Sequence, residues 1–233
     1  MKMKLLGFCA AGLLASPVMA EVIAVEDFSD DIGFTTSVPQ ISDSFGDFFT
    51  RTDGSNIGTF YSVTGATGSW FAAMDTNAEP GFNIGFVTLD AITITDFTDI
   101  TVSIDLAEDD DGTNEDWDAN SSVSLQASVD GGAFFDLLVV EAQGGTNTAP
   151  AIDTTGDGLG DGTEITDTFA TFTSDLGTTG DSLVIRVQIA ELESGDEDIS
   201  FDTIVVEGVP EPASLALVGL GGLAMFGRGR RRA

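Results

Sequence analysis

The chain has 233 residues, 42% of them hydrophobic, with 39 acidic side chains against 8 basic ones and no histidine. Residues 21–208 hold 38 of the acids but only two bases, Arg51 and Arg186, for a net charge of about −36. A field of that sign repels nucleic acid and anionic lipid, favours divalent cations, and equally suits solubility in a salty medium. Both lysines and the one cysteine fall in the first nine residues. Residues 21–208 therefore cannot build a Ser–His–Asp or Cys–His centre, a Schiff-base lysine, a P-loop, or a zinc site of histidines and thiolates. Carboxylate chemistry, such as a glycosidase acid/base pair, is what mainly remains.

In chain order, "MKMKLLGFCAAGLLASPVMA" combines two lysines, an apolar stretch from Leu5, Pro17, and small residues at Val18 and Ala20. Residues 1–20 read as a secretory signal helix. The lipoprotein alternative, with Cys9 lipidated, has bulky Phe8 where a small residue is expected. Residues 21–208 read as one acidic domain. Alternation of period two is clear in "ITVSIDL" (from Ile100), "SVSLQASV" (from Ser122) and "SLVIRVQI" (from Ser182), and half-buried antiparallel strands carry this signature. Asp130-Gly131-Gly132, between "SVSLQASV" and "AFFDLLVVE", is a hairpin signal. Further strands are expected at Val22–Val25, Phe60–Val63, Trp70–Met74, Ala91–Thr95, Thr168–Thr173 and Ile199–Val206. Nine or ten short strands in one segment predict an all-β, two-sheet antiparallel sandwich of jelly-roll type, flanked by the signal helix and a C-terminal apolar helix.

Two acidic loops stand out. In "DTTGDGLGDGTE", Asp153, Asp157, Asp161 and Glu164 fall at positions 1, 5, 9 and 12 of a twelve-residue calcium loop, with Gly158 at the turn position. Thr155 replaces the usual ligand at position 3, and the flanks are not helical, so this is no EF-hand. The loop resembles, in a single copy, the Asp/Gly-rich calcium loops of thrombospondin type 3 and dockerin modules, which implies calcium; a plain loop joining two strands is the alternative. In "EDDDGTNEDWDAN", from Glu108 to Asn120, crowded aspartates call for a hard cation or for free solvation. Finally, "VEDF" near the start and "SFDTIVV" near the end resemble the first and last strands of carbohydrate-binding jelly rolls. That resemblance implies a structural calcium at Glu26, Asp27 and Asp202. Trp70, Trp117 and Tyr61 are available to stack on sugar rings, and Trp117, inside the acidic loop, is the expected exposed one.

The tail from 209 to 233 changes character. Pro210-Glu211-Pro212 precedes an apolar run, Ala213 to Phe226, and then Arg228, Arg230, Arg231 and Arg232. As a helix the run covers about 21 Å, short of the roughly 30 Å of bilayer hydrocarbon. The arginines would stay cytoplasmic, which places the acidic body outside the inner membrane. Order and spacing resemble the PEP-CTERM sorting signal of Gram-negative bacteria. The resemblance implies processing by an exosortase, transient residence in the inner membrane, and delivery to the cell surface or extracellular matrix; an ordinary C-terminal anchor is the alternative. These features together predict an exported, non-enzymatic, structural or adhesive protein that binds polysaccharide with the help of calcium. A carboxylate-dependent glycoside hydrolase or lyase is the second reading.

Overall fold

The computed structural model describes residues 19–43, 46–59, 61–78, 82, 84–109 and 117–211. The signal helix up to residue 18 and the apolar C-terminal helix lie outside these residues, as do Pro212 and the four terminal arginines. Fourteen strands are described: β1 (Glu21–Glu26), β2 (Phe34–Thr36), β3 (Ile41–Ser42), β4 (Phe48–Thr52), β5 (Trp70–Met74), β6 (Ile84–Leu89) and β7 (Ile92–Thr93), then β8 (Phe97–Ala107), β9 (Ser122–Val129), β10 (Phe135–Ala142), β11 (Pro150–Ile152), β12 (Ala170–Asp175), β13 (Ser182–Ala190) and β14 (Asp198–Pro210). They form two seven-stranded sheets. The first runs β12-β8-β14-β5-β4-β3, with β1 beside β14; the second runs β11-β10-β9-β13-β6-β2, with β7 beside β13. Every strand pairing is antiparallel. The expected sandwich is present.

The alternating strands bury the faces their sequences dictate. Ile100, Val102, Ile104 and Leu106 of β8 meet Val123, Leu125 and Ala127 of β9 and Leu183, Ile185, Val187 and Ile189 of β13 in one core between the sheets. Phe28, Phe34, Phe71 and Phe201 close one region of it, edge-on at 5.2 Å for Phe28–Phe34 and stacked at 5.2 Å for Phe71–Phe201. Between β9 and β10, Asp130 (φ 52°) and Gly131 (φ 70°) make the left-handed pair of a type I′ turn. The Gly132 N–H donates to the Val129 carbonyl at 2.9 Å and closes it.

A second, smaller cluster lies on the outer face of the first sheet. Phe48, Ile57, Tyr61, Ala72 and Met74 pack there, under the irregular segment that links β4 to β5. Residues 61–63, expected to form a strand, belong to this cover. Tyr61 is drawn down by its hydroxyl, 2.7 Å from Ser200 Oγ, rather than by a sheet partner. The cover buries the outward-facing residues of β14, which alternation alone would leave in water.

Candidate functional site

The loop 153–164 folds around its own carboxylates. Asp153 Oδ1 accepts the N–H groups of Thr155 (3.0 Å) and Gly156 (2.7 Å), and its Oδ2 accepts that of Gly158 (3.0 Å). Asp161 Oδ1 takes both the N–H and the hydroxyl of Thr154, at 2.8 and 2.7 Å. Those bonds hold the Asp161 carboxyl below its ordinary range. Glu164 Oε2 accepts Gln143 Nε2 at 2.7 Å. Asp153, Asp161 and Glu164, all expected as ligands, thus point at separate donors. A group missed by the sequence reading approaches instead. Glu141, on β10, has a buried Oε2 with no hydrogen-bond partner. Burial, then the charges of Asp153 and Asp157, push its carboxyl above the usual range.

Glu26, Asp27 and Asp202 are not brought together. Glu26 sits opposite Ile204 in the β1–β14 register, on the side turned toward the second sheet. Its Oε1 accepts the Phe28 N–H at 2.8 Å and so supports the left-handed Phe28 (φ 49°). Asp27 caps Ser29 in the same turn, at 3.0 Å. Asp202 faces the opposite way. It pairs with Asp105, and the next register pair is Val205 with Ser103, so one extra residue bulges out of β14. The bulge puts Thr203 at φ 38°, with its N–H donating to Asp202 Oδ1 at 2.7 Å. An unbroken strand would place Asp202 and Ile204 on one face; the bulge reverses that. Among the described residues, no three carboxylates converge into a group able to hold a metal ion.

Trp117 is also placed differently from expectation. It is 0% exposed, so it cannot stack on a sugar. Its Nε1–H donates to the Asp198 carbonyl at 3.1 Å, and its backbone bridges to Thr148. The indole seals a junction where β14 begins. Glu197, 2% exposed, accepts from the Ser121 hydroxyl (2.7 Å) and the N–H groups of Asp118 (3.0 Å) and Ser194 (3.1 Å), and from that of Glu193. One carboxylate therefore ties the β8–β9 connection to the β13–β14 connection. Asp198 lies next to it, 3% exposed, and accepts the Asp109 N–H at 2.9 Å. Burial pushes its carboxyl up to about 8, and that backbone bond only partly offsets the effect. Asp75 is raised to about 6 by burial, then by Asp47, Glu197 and Asp43. Locally, "SGDEDIS" looks like a solvated acidic turn. Only the arrival of Trp117 and Tyr61 from distant segments makes it an interior.

A groove of about 380 Å³ opens along β8 and β12, lined by Asp99, Ile100, Asp175, Gly177, Thr178 and Thr179. No aromatic face lines it. At the far end of the first sheet, β14 continues past residue 208. Val209 pairs with Thr98, Pro210 with Phe97, and the Glu211 N–H donates to the Asp96 carbonyl at 2.8 Å.

Residues 208–232 match the PEP-CTERM protein-sorting motif. The motif implies an exported protein that is processed by an exosortase. No curated protein sequence matches the chain. Among solved structures, the CBM22-1 xylan-binding domain of Paenibacillus barcinonensis Xyn10C is similar over 84% of this chain and 99% of that one, at 10% identity and TM-score 0.41. A cyclase from Fischerella sp. is similar over 82% and 98%, at 17% identity and TM-score 0.48. The K3 cleaved adhesin domain of Lys-gingipain from Porphyromonas gingivalis is similar over 81% and 99%, at 13% identity and TM-score 0.41. At such identities and TM-scores these likenesses assign no function to this chain.

Proposed function

We propose that this is a non-enzymatic protein of the cell surface or extracellular matrix, with a structural or adhesive role in binding polysaccharide. The observation that carries the reading is the sorting motif itself, joined without a break to the last strand of an acidic sandwich. The chemistry of the body agrees with it. The carboxyl groups with the most unusual environments are used as supports: Glu197 is fully committed to holding loops, and Asp198 is closed off from solvent. In a host that carries an exosortase, deleting residues 209–233 should move the protein from the cell surface into the medium. Equal surface retention of deleted and full-length chains would sink the sorting half of the proposal. Release of reducing ends from a polysaccharide would revive the hydrolase reading, for which Asp75, raised to about 6 beside Asp47, is the group to test.

Calcium enters the proposal at one corner. The carboxylates do not converge as they stand, so a hard divalent cation would relieve the repulsion at the orphaned Glu141 Oε2 only by drawing Asp153 or Asp157 toward it. Calcium should then raise the melting temperature by a few degrees over chelator, and Glu141→Gln should abolish that rise. Identical melting with calcium and with chelator rules out this part.

A further inference from the structure

The outer face of the second sheet is unlike the rest of the molecule. Strands β2, β6, β9 and β13 contain no acidic residue at all, in a body that holds 38 of them. Their inward positions fill the core, so register fixes what faces out. One row crosses Asp136, Gln126, Arg186, Thr88 and Thr35; the next crosses Ser124, Gln188 and Phe86. Ser124 and Gln126 are buried at the base of these rows, while Thr88, Phe86, Arg186 and Gln188 are half-buried above them, a polar platform with one cation at its centre.

Arg186 is held flat on that platform. Its guanidinium carbon lies 4.1 Å from the centroid of the Phe86 ring and 3.8 Å from that of Phe134, so two aromatic faces clasp the planar group. Its Nε donates to Gln126 Oε1 at 2.7 Å, and Gln126 Nε2 donates to Asp136 Oδ1 at 2.7 Å. These contacts set the tilt of the guanidinium and leave its outer Nη edge without a hydrogen bond among the described residues. The two arginines of the body differ here. Arg51 is bound to Asp31 at 3.1 Å, whereas Arg186 makes no salt bridge among the described residues. Asp136 acts on it only at a distance, through Gln126. A planar, oriented fork without a salt bridge is suited to a carboxylate, which it meets through two parallel hydrogen bonds.

We propose that this face binds a uronate-bearing polysaccharide, with the Arg186 fork on the sugar carboxylate and Gln188 and Thr88 beside it for hydroxyl groups. The proposal rests on the polysaccharide reading above and adds the site and the class of polymer. A second copy of this chain could also offer a carboxylate, but it would bring another body of about −36 against this one. A polymer brings its charges one sugar at a time. The body's field also opposes an anionic polymer at low salt. Contact should therefore be measured at about 0.3 M salt, where screening confines that field to a few ångströms.

The test compares binding of polygalacturonate and of neutral dextran to the exported protein, its Arg186→Ala variant and its Arg186→Lys variant. Each variant is first checked for an unchanged far-UV spectrum and melting transition. Polygalacturonate should bind the parent, and Arg186→Ala should weaken it about tenfold or more. Arg186→Lys should recover only part of the loss, because an ammonium has no fork. Equal binding of both polymers, with Arg186→Ala silent, overturns the Arg186 site while leaving the polysaccharide reading intact. Binding of neither polymer removes both. Self-association that depends on Arg186, without polymer binding, replaces the polymer with a second copy and overturns the proposal.

Discussion

Trp117→Ala should cost about 3–5 kcal/mol, the range for deleting a large aromatic side chain from a packed interior. For a domain of this size that lowers the melting temperature by roughly 6–20 °C. The whole reserve of such a domain is only about 5–15 kcal/mol, so a large share would go with one side chain. Three losses combine. The indole leaves a cavity, the Asp198 carbonyl loses its donor at 3.1 Å, and water gains a route to Glu197 and Asp198. Trp117→Phe isolates the second loss, since it keeps most of the volume and should cost about 1–2 kcal/mol. Thermal or urea unfolding of the two variants beside the parent decides the matter. A melting temperature within about 2 °C of the parent for Trp117→Ala would contradict the interior placement of the indole.

Stability should rise on acidification from pH 8 to pH 5, which is the reverse of ordinary acid unfolding. Asp198 is raised to about 8, first by burial, from an ordinary value of 3.8. Between about pH 4 and 8 the folded chain keeps a proton on this group that the unfolded chain gives up. Its contribution is therefore fully present below about pH 4 and is lost as pH rises through about 8. Over that window the effect is on the order of several kcal/mol, since each pKa unit is worth about 1.4 kcal/mol. Asp75, raised to about 6, acts in the same direction between about pH 4 and 6. The large negative net charge also favours lower pH, so the parent's profile alone does not isolate the group. Asp198→Asn does, because the amide imitates the protonated acid and can still accept the Asp109 N–H. That variant should melt well above the parent at pH 8 and show a flatter profile. Parallel profiles for the two proteins would show that Asp198 does not titrate in this window.

The alternating strands were legible because each needs only its own residues to declare a face. β5 and β9 fall on the expected residues, while β8, β13 and β14 run longer at one or both ends. The short strands β2, β3, β4 and β11 carry too few residues to show a period; β3, β4 and β11 pair with their chain neighbours, and β2 owes its pairing to β6, about fifty residues on. β6, "IGFVTL", was also missed. Gly85 interrupts its pattern where a side chain would strike the Phe82 ring, at 2.5 Å from where a Cβ would stand.

The candidate sites were harder to read, and for one physical reason: carboxylate spacing does not say which donor each oxygen will meet. Asp153 and Asp161 have calcium-loop spacing yet fold onto backbone N–H groups. Glu141, the last residue of the stretch "AFFDLLVVE", belongs to neither acidic loop and approaches from β10. Asp202 is turned by a bulge that no local pattern announces. Alternation in "SLVIRVQI" is enough to put Arg186 on the face opposite Ile185 and Val187. Its aromatic clasp, however, comes from residues about 100 and 50 positions earlier, at Phe86 and Phe134, and only the fold joins them.

The continuation of β14 through Pro210 has a mechanical meaning for a protein handled by its C-terminal end. Any pull on the chain beyond residue 211 enters the sandwich in the middle of the first sheet, not at a loose edge. β14 is flanked by β8 on one side and by β1 and β5 on the other. A force along its axis loads these two rows of hydrogen bonds in shear, many at once, instead of peeling them singly. The same end of the chain that carries the address is thus also a handle set inside a sheet.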